Sequence, residues 1–186
     1  MILLRCPAPA LLVPLLSGCV FHAPYPAAWP TLPASGAEDC RHFEGSYADR
    51  GEIPDSSVQP SLTRELFGYH SEWPGAKRVA FSLTGTEILE IAVWSGDVHL
   101  FTRTLTTQTG DFACEAGRLV IHSRRWFAAD VVLGRENVRV ELSLVGRHLV
   151  AQIRTFTAGV IVIIVPVVGS TTNWYRFPRL PESSAR

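Results

Sequence analysis

Six histidines, four cysteines and 17 acidic residues are the groups in this 186-residue chain that could hold a metal, move a proton or attack a carbonyl. Such chemistry needs them within hydrogen-bond reach of one another. The densest stretch runs over residues 42–72 and holds His42, Asp49, Glu52, Asp55, His70 and Glu72. A hydrolytic site would have to draw its acid and base from there, although solvated loop residues are the commoner outcome of that spacing. The patterns G-x-S-x-G, H-E-x-x-H and S-x-x-K do not occur, and neither does a G-x-G-x-x-G or P-loop cradle for a nucleotide. Since triads assemble in space, missing motifs weigh little. His22 stands in a proline-rich stretch, while His99 and His122 alternate with apolar neighbours as lone strand imidazoles do. Phe67, Tyr69, Trp73, Trp94 and Trp126 could line a pocket, but aromatic side chains of this kind most often build a core. No catalytic residue, metal ligand or cofactor is assigned from the sequence.

The cysteines are more specific. Residues 1–5 carry Arg5 and the terminal amine, residues 6–16 are apolar and too short to span a bilayer, and Leu16, Ser17, Gly18 and Cys19 follow. Pro7, Pro9 and Pro14 weaken the apolar run as a helix. The order apolar, small, small, cysteine resembles the lipobox of bacterial lipoproteins. That resemblance implies cleavage between Gly18 and Cys19, a diacylglyceryl thioether on Cys19 and an acyl group such as palmitate on the new amine. Each buried CH₂ is worth roughly 0.8 kcal/mol, so three chains anchor stably where one is marginal. In that family an aspartate after the lipidated cysteine marks inner-membrane retention. Val20 stands there, and the expected location is the periplasmic face of the outer membrane. The alternatives are an ordinary secretory leader or a buried apolar segment.

Under the lipoprotein reading Cys6 leaves with the leader and lipid consumes Cys19. Cys40 and Cys114 then remain in an oxidising compartment and are expected to form a disulfide. Two unpaired buried thiols, or a metal site with His42, are the alternatives; two cysteines and one histidine fall short of a closed zinc shell.

The chain carries 17 basic and 17 acidic side chains, and losing Arg5 leaves a balance near −1, with no electrostatic footprint for nucleic acid. Lys77 is the lone lysine. The length suits one domain with a real core. Beyond the leader, the longest apolar run covers residues 158–168; it contains Pro166 and is too short for a membrane helix. The mature chain is therefore expected to be soluble apart from its lipid. Its organisation reads as a leader over 1–18, a lipidated Cys19 with a proline-rich tether over 19–39, a β-domain over 40–180 and a tail over 181–186. Fully polyproline-like, residues 20–37 of the tether would reach somewhat over 50 Å at about 3.1 Å per residue; alternatively Tyr25 and Trp29 dock on the domain or sit at the headgroups.

Within the domain, residues 42–47 read as a first strand, Phe-x-Gly-x-Tyr, in which Gly45 predicts close approach of another group. Ser61 caps a short helix over 62–67 that Gly68 stops. Taking Ser95 and Gly96 as a turn sets Val93 opposite Val98, and a turn over 84–86 sets Phe81 opposite Leu89. A turn at Gly146 and Arg147 sets Leu144 opposite Leu149, Leu142 opposite Ala151 and Val140 opposite Ile153, with Glu141 and Gln152 on the wet face. Gly117 turns a further hairpin, the β-branched run 159–165 predicts a covered central strand, and residues 173–177 a closing strand. The expectation is an all-β domain with one short helix: an antiparallel meander closed into a small barrel, or a β-sandwich.

The Gly45-x-Tyr47 pattern resembles the G-x-W of lipocalin-like first strands, with tyrosine in place of tryptophan. The whole chain resembles proteobacterial outer-membrane lipoproteins with C-x-x-F-x-G-x-Y (Cys40 to Tyr47), C-x-x-G-x-L (Cys114 to Leu119) and W-x-R-F-P (Trp174 to Pro178), a resemblance that lends no activity. Three functions compete. One is a noncatalytic, lipid-anchored envelope lipoprotein whose β-domain binds a protein partner or maintains the envelope. Another is a small barrel holding an apolar ligand such as a lipid or acyl chain. The third is an envelope hydrolase.

Overall fold

The computed structural model describes residues 19–33, 39–68, 75–129, 132–161 and 165–181. Its strands are β1 (Cys19–His22), β2 (Gly45–Ala48), β3 (Arg78–Thr84), β4 (Ile88–Ser95), β5 (Val98–Thr106), β6 (Phe112–Glu115), β7 (Arg118–Ala129), β8 (Val132–Val145), β9 (His148–Ile161) and β10 (Val165–Pro178). A 3₁₀ turn, Cys40–Phe43, precedes β2, and α1 (Leu62–Phe67) follows it. The all-β class with a single short helix is as expected. One sheet has the order β1-β10-β9-β8-β7-β6 and the other β2-β3-β4-β5. Within each sheet, β1 apart, consecutive strands pair, so each sheet is an antiparallel meander.

The meander does not close into a barrel. The corner between β10 and β2 is stitched by the bridge Tyr47↔Arg179 and by Leu180 N–H donating to the Ser46 carbonyl. On the other side, no ladder joins β5 to β6 among the described residues. The reason is length: β6 has four residues and pairs only with the first four of β7, so it cannot carry the sheet across to β5. Phe43, Tyr47, Phe81, Phe112, Leu119 and Phe177, drawn from both sheets, fill a common core. The Cys40–Cys114 disulfide ties the turn before β2 to β6, and so one sheet to the other.

Registers show where turn chemistry was decisive. The β8–β9 pairs are those predicted, Leu144 with Leu149 through Val140 with Ile153, because Gly146 adopts φ 60° and fixes a two-residue turn. In the β4–β5 hairpin the turn falls instead on Gly96 and Asp97; Ser95 pairs with Val98, and a bulge at Val93/Trp94 sets Val93 opposite Phe101. Upstream, Phe81 pairs with Ile91 rather than Leu89, since the turn occupies residues 85–87. The buried face is kept in both. The 3₁₀ turn takes the first residues of the predicted first strand. Gly45 has φ 129°, and a Cβ there would meet Arg179 Nη2 at 3.0 Å, the close approach expected of it.

β7 to β10 run 12 to 14 residues, against seven to nine for β3 to β5. Among the described residues, none of the buried core side chains comes from 124–137 or 154–170. Four strands therefore continue past the core for about six residues each, or about 20 Å. The run 159–165 is not the one covered central strand expected: residues 159–161 end β9 and Val165 opens β10, paired with Ile161, residues 162–164 lie outside the described residues, and Val160 is exposed, as is Val168 on the same face of β10.

Residues 19–30 are docked rather than extended as a tether. β1 pairs in parallel with β10, from Cys19↔Gly169 to His22↔Thr172. Trp174 Nε1 donates to the Ala23 carbonyl, the Tyr25 ring stands edge-on to Trp174 at 5.0 Å, and the Arg176 guanidinium lies 5.1 Å over Trp29. The folded unit thus includes part of the segment assigned to the tether. No helix among the described residues is long and apolar enough to cross a membrane.

Candidate functional site

Because β6 stops short, β7 beyond Ile121 faces the free edge of β5 across a seam, and α1 lies over one end of that seam. The seam is a cleft of about 1020 Å³. Ser61 builds its roof by accepting the Arg64 N–H as the helix N-cap, and Leu62 and Leu66 sink into the core. Phe67 packs edge-on against Phe101 at 5.6 Å. Residues 107–111 close the far end, where the Asp111 carbonyl accepts the His122 N–H at 2.8 Å.

Inside, alternation along β7 sends Ser123 and Arg125 inward after Leu119 and Ile121. Arg125 donates from Nε to Ser123 Oγ at 3.3 Å and from Nη2 to the main-chain carbonyl of Glu65. Burial raises the Glu65 carboxyl above its ordinary range, with Arg125 and Arg64 opposing. Burial, and then the Glu65 charge, push the Tyr175 hydroxyl up to about 12, so it remains a donor at neutral pH. Burial also lowers Arg125, which stays a cation. With Arg103 on the opposite wall and Arg124, Arg139 and Arg154 also lining it, the cleft presents mainly guanidinium groups. Such walls suit polar or anionic groups, and an acyl chain would have to desolvate them.

The residues singled out from sequence do not converge there. Asp49 is 1% exposed and accepts the Thr63 N–H at 2.8 Å and the Ser61 hydroxyl at 3.1 Å, fixing α1. Glu52 pairs with Arg176 at 2.9 Å, and Asp55 sits in a turn at φ 54°. His42 Nδ1 lies 2.8 Å from the Asp39 carbonyl and its ring against Phe43, on the side of the molecule where the disulfide is. His99 Nε2 is 2.8 Å from Thr102 Oγ1, and His22 Nδ1 3.1 Å from Thr172 Oγ1. Tyr69, His70, Glu72, Trp73 and Gly18 lie outside the described residues. Among the described ones, no three of His, Cys, Asp and Glu come together as metal ligands would. Trp94 stacks under Arg78 at 4.9 Å, whereas Trp126 is 76% exposed. Cys19 opens β1 opposite Gly169.

Glu65, Arg125 and Tyr175 were missed, being about 50 to 60 positions apart in sequence. One signal was available: Arg125 occupies an inward position of an alternating strand, where a charge needs a partner. No family model, curated protein or solved structure matches this chain.

Proposed function

We propose that the chain is a lipid-anchored envelope lipoprotein on the periplasmic face of the outer membrane, acylated at Cys19 after cleavage behind Gly18. In this reading its β-domain binds a partner or maintains the envelope without catalysis. The observation that carries it is the place of Cys19, the residue behind the expected cut: it lies in β1 on the open edge of the six-stranded sheet, paired with Gly169 of β10. The Cys40–Cys114 disulfide supports an oxidising compartment. Among the described candidates, Asp49, Glu52 and His42 have partners that explain them structurally, which favours a noncatalytic role. An apolar-ligand barrel finds less support, since the large cleft is lined with arginines.

The test is the intact mass of the protein from a bacterial membrane fraction. The expected species starts at Cys19, carries diacylglyceryl and acyl groups, and gains two protons on reduction. A species starting at Met1 without lipid would overturn the reading. Cys19→Ser is expected to move the protein to the soluble periplasmic fraction.

A further inference from the structure

We infer that the projecting tip of β7 to β10 is a second, noncovalent membrane contact, its outer face lying on an anionic phospholipid surface beside the acylated Cys19. The orientation rests on the lipid-anchor reading; the patch itself does not.

The register assembles the patch. On the outer face one row across the sheet is Trp126, Arg135, Ala158 and Val168; nearer the strand ends, Leu133 stands beside Val160; toward the core, Arg124, Asn137 and Phe156 form the next row. Trp126 is 76% and Leu133 57% exposed, and Phe156, Val160 and Val168 are exposed as well. Large apolar side chains gathered on one face of a sheet mark a contact surface, whereas scattered ones do not.

The charges select the occupant. Every ionisable side chain described on the outer face of these rows is an arginine. Arg124 and Arg135 have no carboxylate partner among the described residues, and Arg135 lies 6.0 Å over the Trp126 ring. The carboxylates described on this face lie deeper: Asp111 opposite His122, one row down, and Glu141, a row further, where it binds Arg139, Arg118 and Arg154. Tryptophan over an apolar tip, with arginine beside it, matches the depth profile of a membrane interface: rings at headgroup level and guanidinium on lipid phosphate.

Chain direction supplies the geometry. Since β1 is parallel to β10, the backbone enters Cys19 from the side of Val168 and Pro166, which is the tip. Acyl groups on Cys19 would therefore leave the domain about 13 Å from the first residue of β10. Exposed Val20, beside Ser170 on the outer face, continues the apolar surface from Cys19 along that edge.

The experiment uses the mature chain with Cys19→Ser, which cannot be acylated, and vesicles of phosphatidylethanolamine with phosphatidylglycerol. Co-sedimentation is expected. It should fall at least tenfold in Trp126→Ser/Leu133→Ser, fall similarly in Arg124→Gln/Arg135→Gln, and weaken with salt and on phosphatidylcholine vesicles. All four positions are exposed surface sites, and an unchanged thermal melt confirms that the variants fold. A folded Cys19→Ser chain that ignores the anionic vesicles overturns the inference, yet leaves the intact-mass result for the anchor untouched. If the chain instead sediments as a dimer without vesicles and Trp126→Ser/Leu133→Ser makes it monomeric, the patch is a self-association surface and the membrane contact is wrong.

Discussion

Replacing Cys40 and Cys114 together by alanine, in a Cys19→Ser background, removes the disulfide that links the two sheets. The bridge closes a loop across a sequence separation of 74. Restricting the unfolded chain by a loop of that size costs it about 15 cal/mol/K, equivalent to about 4.5 kcal/mol at 25 °C. Because Cys40 is buried in the 3₁₀ turn, which packs on β3 and β7, lost packing adds to the effect. The tie also acts where no ladder crosses between the sheets, so nothing nearby substitutes for it. In urea unfolding, with m about 2 kcal/mol/M, the midpoint is expected to fall by about 2 M. The slope should rise as well, since a cross-linked denatured state exposes less surface. Circular dichroism and tryptophan emission should report coincident transitions before and after the change. A midpoint shift below about 0.5 M, at unchanged slope, would refute the loop-closure reasoning and mean that the sheets are held together by their shared core alone.

Asp49→Ala leaves the Thr63 N–H and Ser61 hydroxyl without their acceptor in a buried site; a loss of about 1–3 kcal/mol is expected in thermal unfolding, with Asp49→Asn milder because one oxygen remains. A neutral Asp49→Ala would show that α1 does not depend on this cap. Burial alone would raise the Glu141 carboxyl, but the hydrogen bond from Arg139, the charges of Arg154 and Arg139 and the hydrogen bond from Arg118 outweigh it and hold it below the ordinary range. A carboxylate lowered in the folded state stabilises above its unfolded pKa, near 4.3, and that contribution is lost as pH falls through the lower folded value. Acid unfolding should therefore be shallower in Glu141→Gln than in the parent, and identical slopes would remove Glu141 from the account.

Local signals were legible. The β8–β9 hairpin announced its register because Gly146 marks the turn and the pairs on both faces agree. Ser61 and Gly68 bracketed α1 for the same kind of reason. In the β4–β5 hairpin the apolar period fixed the buried face but could not choose between turns one residue apart, and the bulge at Val93/Trp94 leaves no sequence mark. The run 159–165 shows a different limit: β-branched residues signal strand, but not whether anything will cover it. Closure of the barrel depended on the length of β6, a count that alternation leaves open at both ends. The grouping of Glu65, Arg125 and Tyr175 was hidden because they come together only once α1 has docked on the six-stranded sheet.

The pairing of β1 with β10 also sets an order in time. His22 and Thr172, which meet across that ladder, are 150 positions apart, so residues 19–22 have no strand partner until the last strand has been made. Contacts this distant in sequence form late, because the chain between them must first be arranged. In a protein processed at its N-terminus, Cys19 would thus meet the modifying machinery on an extended segment. Docking of residues 19–30 would then be the closing event of maturation, covering the exposed edge of β10 only once the chain is complete.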